Sequence, residues 1–117
     1  MDYRIETVLT HIQDNLQRTL SLNKLAKSVN LSPSRLRHLF KAETGVTPTQ
    51  HLKRLRMQKA KEVLETTYLN VKEVLAMIGL TDESHFVRDF KKEYGRTPSQ
   101  HRARINSDHS AVNDISG

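Results

Sequence analysis

The chain has 117 residues, six histidines, no cysteine and a net charge of +6, with 19 Lys and Arg against 13 Asp and Glu. That length fits one domain or two very small ones. The missing cysteines exclude disulfides and thiolate metal sites and fit a cytosolic protein, while the positive balance points to a polyanionic partner. No apolar run approaches the roughly 18 residues of a membrane span, the first residues lack a signal-peptide layout, and only four Gly and three Pro favour helices over strands.

In chain order, Tyr3 to Leu20 reads as an amphipathic helix, with Ile5, Val8, Leu9, Ile12 and Leu16 at three- and four-residue intervals. Ser21 caps a short second helix carrying Leu22, Leu25, Ala26 and Val29. Asn30-Leu31 makes a tight turn, because Asn tolerates the left-handed backbone such turns use. Ser32 then caps a third helix with Pro33 at its first position, and Gly45 stops it. Leu36, Leu39 and Phe40 form its apolar stripe; Ser34, Arg37, His38 and Lys41 form the opposite, polar one. Two helices joined by a short turn, the second with a basic outer face, make a helix-turn-helix, whose second helix fits the DNA major groove.

Thr47, Pro48 and Gln50 form a capping box for a long helix from Pro48 to about Thr66. At 1.5 Å per residue it spans about 28 Å. Asn70 and Glu73 box the next helix, which carries Val71, Val74, Leu75 and Ile78 and breaks at Gly79. Thr81 caps a sixth helix with Asp82 and Glu83 in its first turn, Phe86 and Phe90 inward and Ser84, Val87, Arg88 and Lys91 outward. Gly95 ends it, and Thr97-Pro98-Ser99-Gln100 starts a short last helix.

The stretch 82–104 falls on 32–54 when shifted by 50 positions, and ten of 23 columns match, among them Phe40/Phe90, Gly45/Gly95, Thr47/Thr97, Pro48/Pro98 and His51/His101. Unrelated sequences match at about one or two such columns, so the chain carries one structural unit twice. Before the turn the offset is 49, giving the second turn one extra residue. The expected architecture is all-α, about seven helices: a first helix-turn-helix unit over 1–46, a linker helix over 47–67, a second unit over 68–104 and a disordered tail over 105–117. Residues 32–61 hold eight basic groups and one acid, whereas 62–104 hold seven of each. A basic run is often only a solvated face; its concentration in one copy of a repeat argues for nucleic acid.

These residues resemble the DNA-binding domain of the AraC/XylS family of bacterial transcription regulators. The resemblance spans about Ile5 to Arg104 and is sharpest from Gly79 to Arg102, which is similar to the family signature Ser-x-Phe-x-Arg-x-Phe-Lys followed by Gly-x-x-Pro and Tyr-Arg. Leu31-Ser32-Pro33-Ser34 with Leu39-Phe40-Lys41 matches the first motif, and Arg54-Leu55-Arg56-Met57 with Ala60 the linker helix. Leu80, Leu75 and His101 depart from the usual Phe, Ala and Tyr at packing positions. The family's usual ligand-sensing or dimerisation domain is not in this sequence, which fits a stand-alone regulator of the MarA/SoxS kind or a piece of a longer one.

The resemblance implies a sequence-specific regulator, as an activator by the family's commoner role. Its two recognition helices would enter successive major-groove segments of an asymmetric site. A monomer suffices, promoter DNA is the partner, RNA polymerase is a possible second one, and the compartment is the cytoplasm at the nucleoid. Base contacts are expected from Ser34, Arg37 and His38 in the first unit and from Glu83, Ser84, His85 and Arg88 in the second. Arg37 and Arg88 can each donate two hydrogen bonds to guanine; Glu83 either accepts from cytosine or is a solvated first-turn residue. Phosphate contacts are expected from Lys41, Arg54, Arg56 and Lys91, with a brace between the two units as the alternative for Arg56. The first unit, being more basic, is expected to dominate affinity.

His51 and His101 share one repeat position and read as packing residues, and no His-Glu-x-x-His or comparable cluster is present. With no Gly-rich phosphate loop and no nucleophile arrangement either, no metal, cofactor or catalytic residue is assigned. A non-specific architectural nucleic-acid binder is the alternative, and a helical protein-interaction module a third class.

Overall fold

In the computed structural model, which describes residues 1–116 and their side chains as far as 107, seven α-helices and no strand are found among the described residues. They are α1 (Tyr3–Asp14), α2 (Leu22–Ser28), α3 (Pro33–Thr44), α4 (Pro48–Thr66), α5 (Val71–Met77), α6 (Glu83–Tyr94) and α7 (Pro98–Ser116). Among the described residues, no helix is long and apolar enough to cross a membrane.

A side-chain oxygen accepts from a first-turn N–H at the start of every helix, answering one of the donors a helix leaves unpaired there. Asp2 caps α1, Ser21 caps α2 and Ser32 caps α3. Thr47 and Gln50 exchange two bonds of 3.2 and 3.0 Å at α4, Thr97 and Gln100 two of 3.2 and 2.9 Å at α7, and Asn70 and Glu73 complete the box at α5. At the other ends, Gly45 and Gly95 take φ of 82° and 81° and return their N–H groups to the carbonyls of Lys41 and Lys91. Asn30 adopts φ 59° in the α2–α3 turn, as its chemistry foretells.

Three boundaries differ from the sequence reading. Helix α1 ends at Asp14 rather than Leu20, with Asn15 as its C-cap. The cap of α6 is Asp82, whose carboxylate accepts from the His85 N–H at 3.0 Å, and not Thr81; Thr81 is the extra residue of the longer turn. Helix α7 runs past the expected short helix to Ser116, there being no Gly or Pro between Pro98 and that point to stop it. Of the tail expected over 105–117, the side chains from 108 onward and Gly117 lie outside the described residues.

The chain divides within α4 into two compact units, Met1–Arg56 and Met57–Gly117. In the first, Ile5, Val8 and Ile12 of α1 close over Leu25 and Ala26 of α2, Leu36 and Phe40 of α3 and Leu52 of α4. In the second, Met57, Ala60, Val63 and Leu64 of α4 do the same for Val74 and Leu75 of α5 and Phe86 and Phe90 of α6. The spacing Ile5, Val8, Ile12 is that of Met57, Ala60, Leu64, so each helix-turn-helix rests on the apolar stripe of the helix before it. Phe40 and Phe90 are both fully buried, and truncating either to Ala costs about 3–5 kcal/mol, a large part of a domain's stability.

Candidate nucleic-acid interface

Burying Leu36 and Phe40 fixes the rotation of α3. Its polar stripe is thereby turned outward, and Ser34, Arg37, His38 and Lys41 are all exposed. Leu39 is half-buried beside them, and Glu43 is the single acid of the helix. The same logic governs α6, where burial of Phe86 and Phe90 exposes Glu83, Ser84, His85, Arg88 and Lys91 and leaves Val87 half-buried. On α3 the four residues share one stripe; on α6 Ser84, Arg88 and Lys91 do, with Glu83 and His85 on its two flanks. Glu83 opens α6, where a carboxylate complements the positive end of the helix dipole.

The two surfaces differ in kind. That of α3 presents Arg35, Arg37, His38 and Lys41 with no acid before Glu43. That of α6 mixes Glu83, His85, Arg88, Asp89 and Lys91. His85 is not a lone ring: its Nε2 lies 3.2 Å from Oδ2 of Asp89, one turn on, the imidazole being 59% exposed and the carboxylate 20%. The i,i+4 spacing of the two residues carried this signal in the sequence.

On α4, Arg54 is exposed, as a phosphate contact requires. Arg56 is placed otherwise. Its Nε donates to the Leu16 carbonyl at 2.9 Å and its Nη2 to the Arg18 carbonyl at 3.1 Å, and the half-buried guanidinium is held below its ordinary pKa by desolvation. These bonds make a brace inside the first unit: Arg56 ties the segment that follows α1 to α4. Arg102, to which no role was given, is the corresponding device of the second unit. It donates to the carbonyls of Leu64, Thr67 and Leu69 and so ties α7 to the exit of α4.

The paired histidines are packing residues with different surroundings. His51 is half-buried with its ring edge-on to Phe40 at 5.7 Å, and burial, assisted by the charge of Arg54, lowers its pKa. His101 is 2% exposed; Arg96 Nε donates to its Nδ1 at 3.0 Å, and its Nε2 lies 2.8 Å from Glu65 Oε1. Since Nδ1 accepts, Nε2 carries the proton and donates to the carboxylate. Among the described residues there is no group of three or more His, Asp or Glu that could hold a metal ion.

A family model described as a helix-turn-helix domain matches residues 25–104. The arabinose operon regulatory protein of Escherichia coli K12 is 34% identical over 116 residues, covering 98% of this chain and 39% of that protein. The transcriptional activator RhaR of Enterobacter sp. strain 638 is 33% identical over 100 residues, 86% of this chain and 36% of its own length. The chain thus spans less than two fifths of either relative. Among solved structures, the DNA-binding domain of the global transcriptional factor AdpA, in complex with a target DNA, shares the fold with a TM-score of 0.83 at 24% identity, covering 91% of this chain and 96% of that one.

Proposed function

The chain belongs to the AraC/XylS family of helix-turn-helix transcription regulators, and on that premise we propose that it binds double-stranded promoter DNA sequence-specifically through α3 and α6 and acts as an activator. The observation that carries this reading is the pair of exposed, non-identical polar surfaces on α3 and α6, each oriented by its own buried core. Two unlike readers in tandem call for an asymmetric site spanning two major-groove segments, and one copy of the chain suffices. Ser34, Arg37 and His38 read bases in the first segment; Glu83, Ser84, His85 and Arg88 read the second. Lys41, Arg54 and Lys91 neutralise phosphates, adding affinity and salt dependence without sequence choice. The activator role follows RhaR, whose name states it, and makes RNA polymerase a second partner.

Selection of sites from random duplexes tests the reading. An enriched, non-palindromic motif is the expected result. Salt-dependent binding with no enriched motif overturns it in favour of a non-specific architectural binder, and absence of duplex binding in favour of a protein-interaction module. Run-off transcription from a template carrying the selected site, with and without the protein, tests activation.

A further inference from the structure

We propose that the first unit holds a binding site for a small carboxylate with an apolar body, set between α1, the segment that follows it and α2. The site is a cavity of about 280 Å³, close to the lower end of the ~300–1,000 Å³ of small-ligand pockets. Its floor is apolar: Ile12, Leu25 and Leu52 line it and are 2%, 4% and 5% exposed. The exposed part of its wall carries His11, Arg18 and Lys24, and no lining residue is an acid. An apolar floor beside a cationic wall suits a ligand with an apolar body and one anionic end.

The second unit has the same socket with an occupant built in. Arg102 stands at the repeat position of Leu52, and its guanidinium donates to the carbonyls of Leu64, Thr67 and Leu69. In the match of α1 to α4, Leu64 and Thr67 fall on Ile12 and Asn15; in the match of α2 to α5, Leu69 falls on Leu20. All three of those counterparts line the cavity. The first unit therefore keeps the socket and lacks the arginine. Leu52 is shorter, the brace comes from Arg56 one turn later, and the stretch from Ile12 to Leu20 is three residues longer than that from Leu64 to Leu69. The charge of the wall is reversed as well: Lys24 of α2 stands where α5 has Glu73, and Arg18 lies in the longer stretch. A socket that takes a cation in one copy is walled for an anion in the other. Its occupant would tie α1 to α2, which packs with α3 in one core, so a small molecule bound there acts on the support of the first recognition helix.

The test titrates the isotope-labelled full chain near neutral pH with isocaproate, whose branched tail matches the Ile and Leu floor. Isocaproamide and isohexylamine serve as controls that keep the tail and change the charged end. Backbone amide resonances of Ile12 to Leu25 and of Leu52 are expected to shift saturably with isocaproate, with a Kd on the order of 1 mM. The amide and the amine should bind at least about tenfold more weakly. Arg18 serves the brace only through its carbonyl and both cationic side chains are exposed, so Arg18→Ala combined with Lys24→Ala keeps the fold. That double variant should bind isocaproate about tenfold more weakly and isocaproamide as before. Leu52→Arg, which copies the second unit, should block all three probes; if it does not fold, the double variant decides alone. Equal binding of acid and amide, shifts spread over α3 and α6 in place of this segment, no saturable shift, or undiminished isocaproate binding in the double variant overturns the proposal. No DNA is present in these titrations, so a failed search for a DNA motif leaves the site standing, and an empty cavity leaves the DNA-reading assignment standing.

Discussion

Replacing Arg56 by Met keeps most of the aliphatic stem that packs on the first unit and removes the guanidinium, so it separates a brace from a phosphate contact. Two bonds are lost, to the carbonyls of Leu16 and Arg18 at 2.9 and 3.1 Å. A hydrogen bond from a charged donor contributes about 1.5–3 kcal/mol when shielded. Here the guanidinium is only half-buried and water reaches the Arg18 carbonyl, so about 2 kcal/mol for the pair is the appropriate scale. For a domain of this size that lowers Tm by roughly 5–15 °C. A phosphate contact leaves a different signature: an unchanged Tm and a slope of log K against log salt shallower by about 0.9. Thermal melts together with a salt titration on one duplex measure both quantities. A shallower slope with an unmoved Tm would refute the brace.

Lys41→Ala, by contrast, is expected to leave stability within about 0.5 kcal/mol of the parent and to weaken specific and random duplexes alike, with the salt slope reduced by about 0.9. Arg37→Ala should cost specific binding about 1–3 kcal/mol and random binding far less, and competition assays that show equal losses count against base reading. Gly45→Ala meets no atom within 4 Å, so its whole cost is the left-handed backbone at φ 82°, about 1–2 kcal/mol in denaturant melts, with Gly45→Asn costing less. His51, whose folded pKa is lowered by burial and Arg54, binds its proton more readily unfolded; stability is therefore full above the ordinary value of ~6.5 and is lost as pH falls from there toward the folded pKa. Melts of His51→Gln should show less acid sensitivity than the parent across that window, and parallel curves would count against it.

Where a helix boundary is set by residues next to it, the sequence carries it. The capping boxes at Thr47 and Asn70 and the stop at Gly45 place α3, α4 and the start of α5 as observed. The end of α1 is different. Leu16 and Leu20 continue the helical period and no Gly or Pro intervenes, yet the helix stops at Asp14, and in the segment beyond it the Leu16 and Arg18 carbonyls accept from Arg56, 40 and 38 positions away. That partner is tertiary, and local periodicity contains no trace of it. The same reason hid the roles of Arg56 and Arg102, whose acceptors lie more than 30 positions distant. The cap of α6 was legible by another route: the 50-position offset places Asp82 on Ser32, the observed cap of α3. The outward surfaces of α3 and α6 were readable because burying two aromatic or aliphatic residues one turn apart leaves a helix one rotation.

What the two copies have kept and changed bears on the choice between specific and non-specific binding. Both retain the αL glycine, the Thr–Pro–x–Gln box and the buried Phe, and with them the scaffold. On the outer surfaces, Arg35, Arg37, His38 and Leu39 of one copy correspond in sequence to His85, Val87, Arg88 and Asp89 of the other. A non-specific binder draws its affinity from cations on phosphates. Trading Arg35 and Arg37 for His85 and Val87, with one arginine regained at Arg88 in place of His38, subtracts from that affinity. The same trades make sense if the second surface reads a different set of donors and acceptors: Arg88 offers two donors where the first copy has His38, and Glu83 an acceptor where it has Pro33. The loss of charge in the second copy is thus itself a reason to look for base discrimination there.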